Sequence, residues 1–544
     1  MKSILSGKSI LIVEDYPAMR KAIRDMLYTL DADTITEADN GVNAISAMGK
    51  HRFDIVLCDY NLGAGKNGQQ VLEEARFRKL IPHHCIFIIV TAEQTASMVL
   101  GAMDSKPDEY LTKPFNAQQL YSRLERNMLR KDYLHSVEKE MERGNLLKAI
   151  ENCDDLLARQ DKKMRTQLLR LRAELAINVG EFDKARQIYL GILEQRDLPW
   201  ARLGLGIVDY HQGDYVRAIT GFEALISDNP MFMEGYDWLS RAHEALDNLT
   251  DAQTVLHKAV DLSPQSLLRQ KKLGETADKN GNLELAEKAY KAAVNLGKNS
   301  VFKSCGDFAN LAKVYCKANA AVDAFNTLND MRLEYVNSPE AELRAATLEA
   351  ELHKNLGNDE SATEALDKAL ALSQQLAGKI PKELQLDVIR GCFLHNQHQQ
   401  AEAMLDSLIK THIDDDQFLD DVRRMQSGIG MDNHSEVLIQ SAKRELIAIN
   451  NKGVALYKQG KFKEAMQLFE RAIVAMPDNK TILLNMLQIM IHDLKTTEIN
   501  DEKLKRVRDL LKKAAGVGLE AHKLSILRME FAKLLRQLAT GAES

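Results

Sequence analysis

The chain has 544 residues, which is more than one hydrophobic core can hold and suggests roughly three or four domains or an array of repeats. Its 72 lysines and arginines are balanced by 78 aspartates and glutamates, so the net charge of −6 provides no basic field that would favour a nucleic acid as a partner. Six cysteines without a C-x-x-C pair fit neither a disulfide framework nor a zinc ribbon.

The apolar runs and the amino-terminal residues indicate whether the protein is exported or inserted into a membrane. The apolar runs, such as CIFIIV at 85–90, are too short to span a membrane. The amino-terminal residues contain Gly7 and Lys8 where a signal peptide needs an unbroken apolar segment. We therefore expect a cytoplasmic protein with no membrane insertion and no nucleic-acid partner.

The first 115 or so residues alternate short β-rich runs with amphipathic helical patterns. The continuous apolar character of these runs indicates buried parallel strands, and parallel strands need crossover helices that cover the sheet. This pattern predicts a doubly wound α/β domain. Its strands are expected at 9–13, 34–38, 54–59, 85–92 and 109–114.

After about residue 130 the strand signal ends and a repeated helical pattern begins. A glycine followed five residues later by an alanine recurs six times, first as Gly144 and Ala149. Ala218, Ala252 and Ala286 are 34 residues apart, and a large apolar residue follows each of them after four positions. This pattern resembles the tetratricopeptide (TPR) repeat, a pair of helices that stacks on its neighbours into a solenoid. A generic helical bundle is the alternative, but a bundle has no reason to keep this period.

The periodicity also predicts boundaries. We expect a first domain at 1–127, TPR-like repeats at 128–424, and further TPR-like repeats with capping helices at 437–544. The stretch at 425–436 is glycine-rich and polar, which is typical of a linker or a distorted turn. The basic segment at 503–515 alternates charged and apolar residues and is interpreted as a capping helix with no ligand.

Charged and polar residues stand where the predicted strands end. Glu14 and Asp15 follow the first strand, Asp59 ends the third, Thr91 ends the fourth and Lys113 ends the fifth. Ligands of open parallel sheets bind beyond the carboxyl ends of the strands, so these side chains should meet in one crevice. Each residue alone could be a cap, a turn or ordinary strand sequence.

Together these residues suggest phosphoryl chemistry. Three close carboxylates repel one another unless a proton or a cation lies among them, and oxygen ligands suit Mg²⁺. Beside such an ion, Asp59 is a carboxylate nucleophile that can attack phosphorus, while Lys113 neutralises charge and Thr91 donates to a phosphoryl oxygen.

Over residues 1 to about 127, this set of residues resembles the receiver domain of two-component response regulators. The resemblance implies a flavodoxin-like, CheY-like fold and phosphorylation of Asp59 by a sensor histidine kinase. It also implies Mg²⁺ ligands from Asp15, from Asp59 and from the main-chain oxygen of Asn61, with Glu14 acting through water.

The same resemblance implies a switch pair, Thr91 and Tyr110, and a cis peptide bond between Lys113 and Pro114. The chain departs from the family pattern in the loop after Asp59. Gly63 stands where the family usually has proline, and Gly68 comes nine residues after Asp59, so the loop is one residue longer. Asn61 and Glu93 occupy positions where the family tunes dephosphorylation.

The leading functional hypothesis is a response regulator whose output is protein binding by the TPR superhelix. A first alternative is a competitor that takes phosphoryl groups from a kinase shared with another regulator. A second alternative is an enzyme acting in the repeat groove, but the repeats show no catalytic cluster and the histidines of FLHNQHQQ at 393–400 suit a solvated turn.

Two asparagines are candidates for contacting a peptide in the repeat groove. Asn451 and Asn485 are 34 residues apart, at the same position of a predicted first helix. Asparagines at this position in TPR proteins can bind the backbone of an extended peptide. Local helix packing is the alternative role for both, and the protein partner is not identified by the sequence.

Overall fold

The computed structural model describes residues 4–92, 105–159, 164–431, 434–496 and 500–541. They form two compact units. The first comprises Met1–Gly144 and Lys148–Ala318, and the second comprises Asn145–Leu147 and Asn319–Ser544. The first unit therefore contains the α/β domain together with part of the helical region, and the second is helical.

The amino-terminal part contains a parallel sheet of five strands in the order β2-β1-β3-β4-β5. Residues of β3 and β4 are all buried, which explains why these strands read as continuous apolar runs. The five strands are the ones expected from the sequence, with ends that differ by up to two residues. They are β1 (Ser9–Val13), β2 (Thr34–Ala38), β3 (Ile55–Asp59), β4 (Ile86–Thr91) and β5 (Glu109–Thr112).

Helices cover both faces of this sheet. They are α1 (Pro17–Thr29), α2 (Gly41–Lys50), α3 (Gly68–Phe77) and α4 (Ala117–Glu142). Alternate strand residues pack into two clusters, one against α2 and α3 and the other against α1 and α4. A doubly wound α/β domain is thus confirmed. The helix expected between β4 and β5 lies outside the described residues.

Helix α4 links the α/β domain to the helical region without a break. Its first half contributes Leu120 and Leu124 to the core beneath the sheet, and its second half buries Leu134 and Val137. Asn116 caps its first turn in a capping box with Gln119. The predicted boundary between residues 127 and 128 therefore falls within one continuous helix of 26 residues.

Among the described residues, the helical region of the first unit continues with ten further helices, the first of which begins with two residues, Leu146 and Leu147, grouped with the second unit. They are α5 (Leu146–Ala158), α6 (Arg165–Asn178), α7 (Phe182–Leu193), α8 (Pro199–His211), α9 (Tyr215–Asp228), α10 (Met233–Ala245), α11 (Leu249–Leu262), α12 (Leu267–Lys279), α13 (Leu283–Gly297) and α14 (Cys305–Lys317). From α7 to α14 each helix packs against the next, as expected for stacked helix pairs.

The described residues of the second unit form eleven helices. They are α15 (Ala321–Glu334), α16 (Pro339–Asn355), α17 (Asp359–Gln375), α18 (Lys382–Leu394), α19 (His398–Thr411), α20 (Asp416–Ser427), α21 (His434–Lys458), α22 (Phe462–Ala475), α23 (Lys480–Thr496), α24 (Asp501–Gly516) and α25 (Ala521–Gly541). The region at 425–436, predicted as a linker or distorted turn, contains the end of α20 and the start of α21. The basic segment at 503–515 lies within α24. An all-α repeat region after the α/β domain is thus confirmed.

Within the described residues, a left-handed turn residue followed five positions later by a fully buried alanine recurs nine times. The six glycines found in the sequence have φ between 72° and 82°. At the other three turns an aspartate or an asparagine takes the same conformation: Asp247, Asn319 and Asn396, with φ of 57° to 59°. All nine alanines that follow are 0% exposed: Ala149, Ala185, Ala218, Ala252, Ala286, Ala324, Ala362, Ala401 and Ala465. Asp and Asn tolerate this conformation better than other side chains do, so the glycine search missed these turns.

Close helix packing within a repeat depends on a second glycine. A Cβ atom added at Gly206 on α8 would lie 2.3 Å from the ring of Phe222 on α9, and one at Gly453 on α21 would lie 2.2 Å from the ring of Phe469 on α22. Both rings are buried, and each is the large residue four positions after a buried alanine. The missing side chain therefore lets each ring pack directly on a helix backbone.

Within the described parts of the chain, every helix is too short or too polar to cross a bilayer.

Candidate functional site

The polar residues at the strand ends meet at the carboxyl edge of the sheet. Because β1, β3, β4 and β5 are parallel neighbours, their carboxyl ends lie side by side at this edge. Asp59 is the last residue of β3 and is 8% exposed, and Thr91 is the last residue of β4 and is 7% exposed. Glu14 is buried directly after β1, whereas Asp15 is exposed at the mouth of the crevice.

Lys113 lies between two of the carboxylates. Its ammonium donates a hydrogen bond to Glu14 Oε2 at 2.8 Å and lies 3.2 Å from Asp59 Oδ2. Burial alone would lower the pKa of Lys113, but the hydrogen bond to Glu14 and the charge of Asp59 outweigh it and raise that pKa. Lys113 therefore stays a cation beside Asp59.

The acidic residues form a compact oxygen cluster. One carboxylate oxygen from each of Glu14, Asp15 and Asp59 lies within 4.8 Å of the other two. Burial and then the charge of Glu14 raise the pKa of Asp59 from 3.8 to about 6, against the opposing effect of Lys113. The cluster thus carries a repulsion that a bound cation would relieve.

The backbone around Asp59 is fixed by its neighbours. The amide of Tyr60 donates to the carbonyl of Val90, and the amide of Gly68 donates to the carbonyl of Tyr60, both at 2.8 Å. A Cβ atom at position 68 would lie 2.3 Å from the carbonyl oxygen of Asp59, so only glycine lets α3 begin here. The amide of Lys113 donates to the carbonyl of Thr91, and the peptide bond between Lys113 and Pro114 is cis.

The loop between β3 and α3 lies along the acidic cluster. Asn61 is exposed, and its side-chain oxygen accepts a hydrogen bond of 3.4 Å from the amide of Gly63. A Cβ atom at Gly63 would lie 3.2 Å from Asp15 Oδ2, so the backbone passes close to this carboxylate. Gly63 has a φ of 71°, which glycine adopts readily and which the ring of the proline usual in the family does not allow.

Thr91 and Tyr110 lie on neighbouring strands. Thr91 pairs with Thr112 and Ile89 pairs with Tyr110, so the side chains of Thr91 and Tyr110 project from the same face of the sheet. The Tyr110 ring is half-buried against the cluster beneath α2 and α3. Glu93, for which a role in dephosphorylation was considered, lies outside the described residues.

A separate cavity of about 500 Å³ lies in the second unit. Its walls are mostly apolar, and Asn485 on α23 is among the residues that line it. The side-chain amide of Asn485 donates to the side-chain oxygen of Asn450 at 2.6 Å, and Asn451 is exposed on the next position of α21. The structure therefore pairs Asn485 with Asn450, which the 34-residue spacing did not single out, and peptide contact by Asn451 and Asn485 stays a prediction.

Two family models match the chain. The model of the response regulator receiver domain matches residues 10–125, which contain Glu14, Asp15, Asp59, Thr91 and Lys113. The tetratricopeptide repeat model matches residues 447–479, which span the second half of α21 and all of α22.

Similar proteins match the amino-terminal part of the chain. The chain is 31% identical over 127 residues to the chemotaxis protein CheY-3 of Vibrio cholerae, covering 23% of this chain and 96% of that protein. It is 32% identical over 117 residues to the chemotaxis protein CheY of Pseudomonas aeruginosa, covering 22% of this chain and 93% of that protein.

Among solved structures, the receiver domain of the sensor histidine kinase PA1611 from Pseudomonas aeruginosa is similar. It is 28% identical with a TM-score of 0.20, covering 23% of this chain and 98% of that domain, and it holds a magnesium ion in its active-site cleft. The family model and the two CheY proteins agree on the same part of the chain. The chain therefore belongs to the response regulator receiver family and joins its receiver domain to a helical region that contains a tetratricopeptide repeat.

Proposed function

We propose that this chain is a response regulator that a sensor histidine kinase phosphorylates on Asp59, and that its helical repeats bind a protein partner in response. The observation that supports this most directly is the meeting of Asp59, the other two carboxylates and Lys113 in one crevice. This arrangement has a nucleophile, a cation and a set of hard oxygen ligands within contact distance of one another.

The residues present fit Mg²⁺. The acidic cluster supplies only oxygen ligands, and its internal repulsion is reduced by a divalent cation. Asp15 and Asp59 would hold the ion with the main-chain oxygen of Asn61, and Glu14 would act through a water molecule. When bound, the ion neutralises charge on the phosphoryl oxygens.

The chain's own residues then carry the transfer. An Asp59 carboxylate oxygen attacks the phosphorus of the donor, forming an O–P bond as the bond to the donor's leaving group breaks. The leaving group is an imidazole nitrogen when the donor is a phosphohistidine. Lys113 pairs with a phosphoryl oxygen, and the Thr91 hydroxyl donates to another. Movement of Thr91 leaves room for Tyr110 to turn inward, which makes these two residues a switch pair.

Repeat helices are suited to the output role because stacked helix pairs present long surfaces for peptides and helices of other proteins. In the second unit, the cavity beside Asn485 is a candidate for this contact, with Asn450 holding the Asn485 side chain in place. Asn451 is exposed one position away and is the weaker candidate of the two predicted asparagines.

Phosphorylation can be tested on the purified full chain with Mg²⁺ and acetyl phosphate. We expect one acid-labile phosphoryl group per chain, located at Asp59 by peptide mass spectrometry, because Lys113 and the ion activate this carboxylate. Asp59→Asn should take up none, and Asp25→Asn, which changes an exposed carboxylate of α1, should be labelled like the wild type. Labelling of the Asp59→Asn variant to the wild-type extent would contradict the assignment.

A further inference from the structure

The loop that follows Asp59 touches both the acidic cluster and the helical repeats of the first unit. At its near end, the backbone at Gly63 lies against the carboxylate of Asp15. At its far end, the side-chain amide of Asn299 donates to the carbonyl of Gly65 at 3.0 Å, and the ammonium of Lys66 donates to the carbonyl of Asn299 at 2.7 Å. Asn299 belongs to the turn at 298–304 between α13 and α14.

The glycines make this reach possible. Gly63 and Gly65 have φ values of 71° and 106°, so the chain turns twice within three residues and directs the Gly65 carbonyl towards Asn299. Lys66 is held at the start of α3 by an ion pair of 3.0 Å with Glu74. Two hydrogen bonds thus link this loop to Asn299, one donated by the Lys66 side chain and the other accepted by the Gly65 carbonyl.

Two other contacts lie beside this pair. The ring of Phe77, the last residue of α3, meets the ring of Phe302 edge to face at a centroid distance of 5.7 Å. Lys106 forms an ion pair with Glu234 in the first turn of α10, and Arg76 on α3 donates to the carbonyl of Lys106 at 2.8 Å. The β3–α3 loop, α3 and the segment around Lys106 therefore share one contact surface towards the repeats.

Within this surface, the β3–α3 loop lies apart from the connection through α4. The second half of α4 contacts the opposite edge of the sheet, where Arg130 and Lys131 pair with Asp108 just before β5. The loop contacts are at the carboxyl edge, close to the acidic cluster. The loop contact with Asn299 involves residues within a few positions of Asp59 and of the Asn61 main-chain oxygen.

We infer that the β3–α3 loop is a direct output surface of the receiver domain, whose partner is the 298–304 turn of this same chain. The inference rests on the proposed function, because it takes occupation of the Asp59 pocket as the input. Binding at the pocket repositions the backbone at Asn61 and Gly63, and the two hydrogen bonds at Asn299 pass that change to α13 and α14. By thermodynamic reciprocity, breaking these hydrogen bonds must change the affinity of the pocket.

Titration calorimetry of the full chain with beryllofluoride and Mg²⁺ tests this coupling. Asn299→Ala removes the donor to Gly65 and is expected to change the apparent dissociation constant by about fivefold or more, the lower end of typical allosteric coupling. Asn295→Ala, which changes an exposed asparagine one turn earlier, is the matched control and should bind like the wild type.

Equal affinities in the Asn299→Ala and Asn295→Ala chains, with normal binding by the wild type, would overturn the coupling alone. Failure of the wild type to bind beryllofluoride, or equal binding by Asp59→Asn, would overturn the pocket assignment and with it the coupling.

A second measurement separates this surface from the Thr91–Tyr110 pair. Hydrogen exchange of the 298–304 turn should change on addition of beryllofluoride in the wild type and also in Tyr110→Ala, because the loop does not act through Tyr110. Loss of the change in Tyr110→Ala would overturn the loop as a direct output surface.

Discussion

At the scale of single residues, the crevice is organised by charge. Glu14 is almost fully buried, yet it keeps a hydrogen bond to Lys113, so a buried carboxylate holds the cation that faces Asp59. Asp15 differs from them because it is exposed at the mouth of the cluster, whereas Glu14 and Asp59 are buried and both lie against Lys113. Of the three carboxylates, Asp15 is therefore the one most suited to an ion that arrives from solvent.

Replacing Asp15 should separate metal binding from folding. Asp15→Asn is expected to weaken Mg²⁺ binding by about tenfold or more, since even residues that only orient metal ligands contribute tenfold or more. The free energy of unfolding should not fall, because the change relieves repulsion within the cluster. Calorimetric titration with Mg²⁺ and thermal denaturation measure the two effects, with Asp25→Asn as the control. An unchanged Mg²⁺ affinity would remove Asp15 from the site.

At the scale of helices, the packing of each repeat depends on how closely the backbones of its two helices approach each other. The Phe222 ring is 0% exposed and cannot move into solvent when a methyl group appears at Gly206. The same relation holds between Gly453 and Phe469 in the second unit. A glycine on the first helix and an aromatic ring on the second thus set the distance between the two helices of a repeat.

A matched pair of glycine substitutions tests this spacing. Gly206→Ala should destabilise the α8–α9 region by about 1–3 kcal/mol, because the added methyl overpacks a closed contact. Gly221→Ala on α9, where a Cβ atom meets nothing within 4 Å, should be neutral or stabilise the region by up to about 1 kcal/mol. Native-state hydrogen exchange of residues 199–228 measures both effects. Equal stabilities of the two variants would show that the close approach does not limit packing.

The sequence alone was sufficient to predict the elements that follow a local pattern of residues. The five strands were predictable because β3 and β4 are buried on both faces and read as apolar runs. The charged residues that meet in the crevice were predictable because parallel strands fix which ends lie together. The turn glycines were predictable from their spacing to alanine.

Other features were not predictable from a local pattern. Asp247, Asn319 and Asn396 replace the turn glycine, and they could have been found by searching five residues before Ala252, Ala324 and Ala401. The contacts of Lys66 and Gly65 with Asn299 join residues more than 230 positions apart, for which a single sequence carries no signal. The hydrogen bond between Asn485 and Asn450 depends on the rotation of α21, which spacing along the chain does not define.

At the scale of the molecule, the proposed influence of the receiver domain on the repeats acts within the first unit. The hydrogen bonds of the β3–α3 loop with the 298–304 turn are exposed to solvent, and so is the ion pair of Lys106 with Glu234. A typical hydrogen bond contributes about 0.5–1.5 kcal/mol and an exposed ion pair at most about 1 kcal/mol. Allosteric coupling of about 1–3 kcal/mol is therefore large enough to make or break such contacts.

At this scale, the helical repeats are proposed to respond to occupation of the Asp59 pocket. Hydrogen exchange of the full chain, measured with Mg²⁺ in the presence and absence of beryllofluoride, tests it most directly. In the wild type, exchange should change both in the receiver domain and in repeat helices between residues 199 and 317, and neither change should occur in Asp59→Asn. Exchange changes confined to residues 4–127 in the wild type, or equal changes in Asp59→Asn, would contradict the proposed response of the repeats.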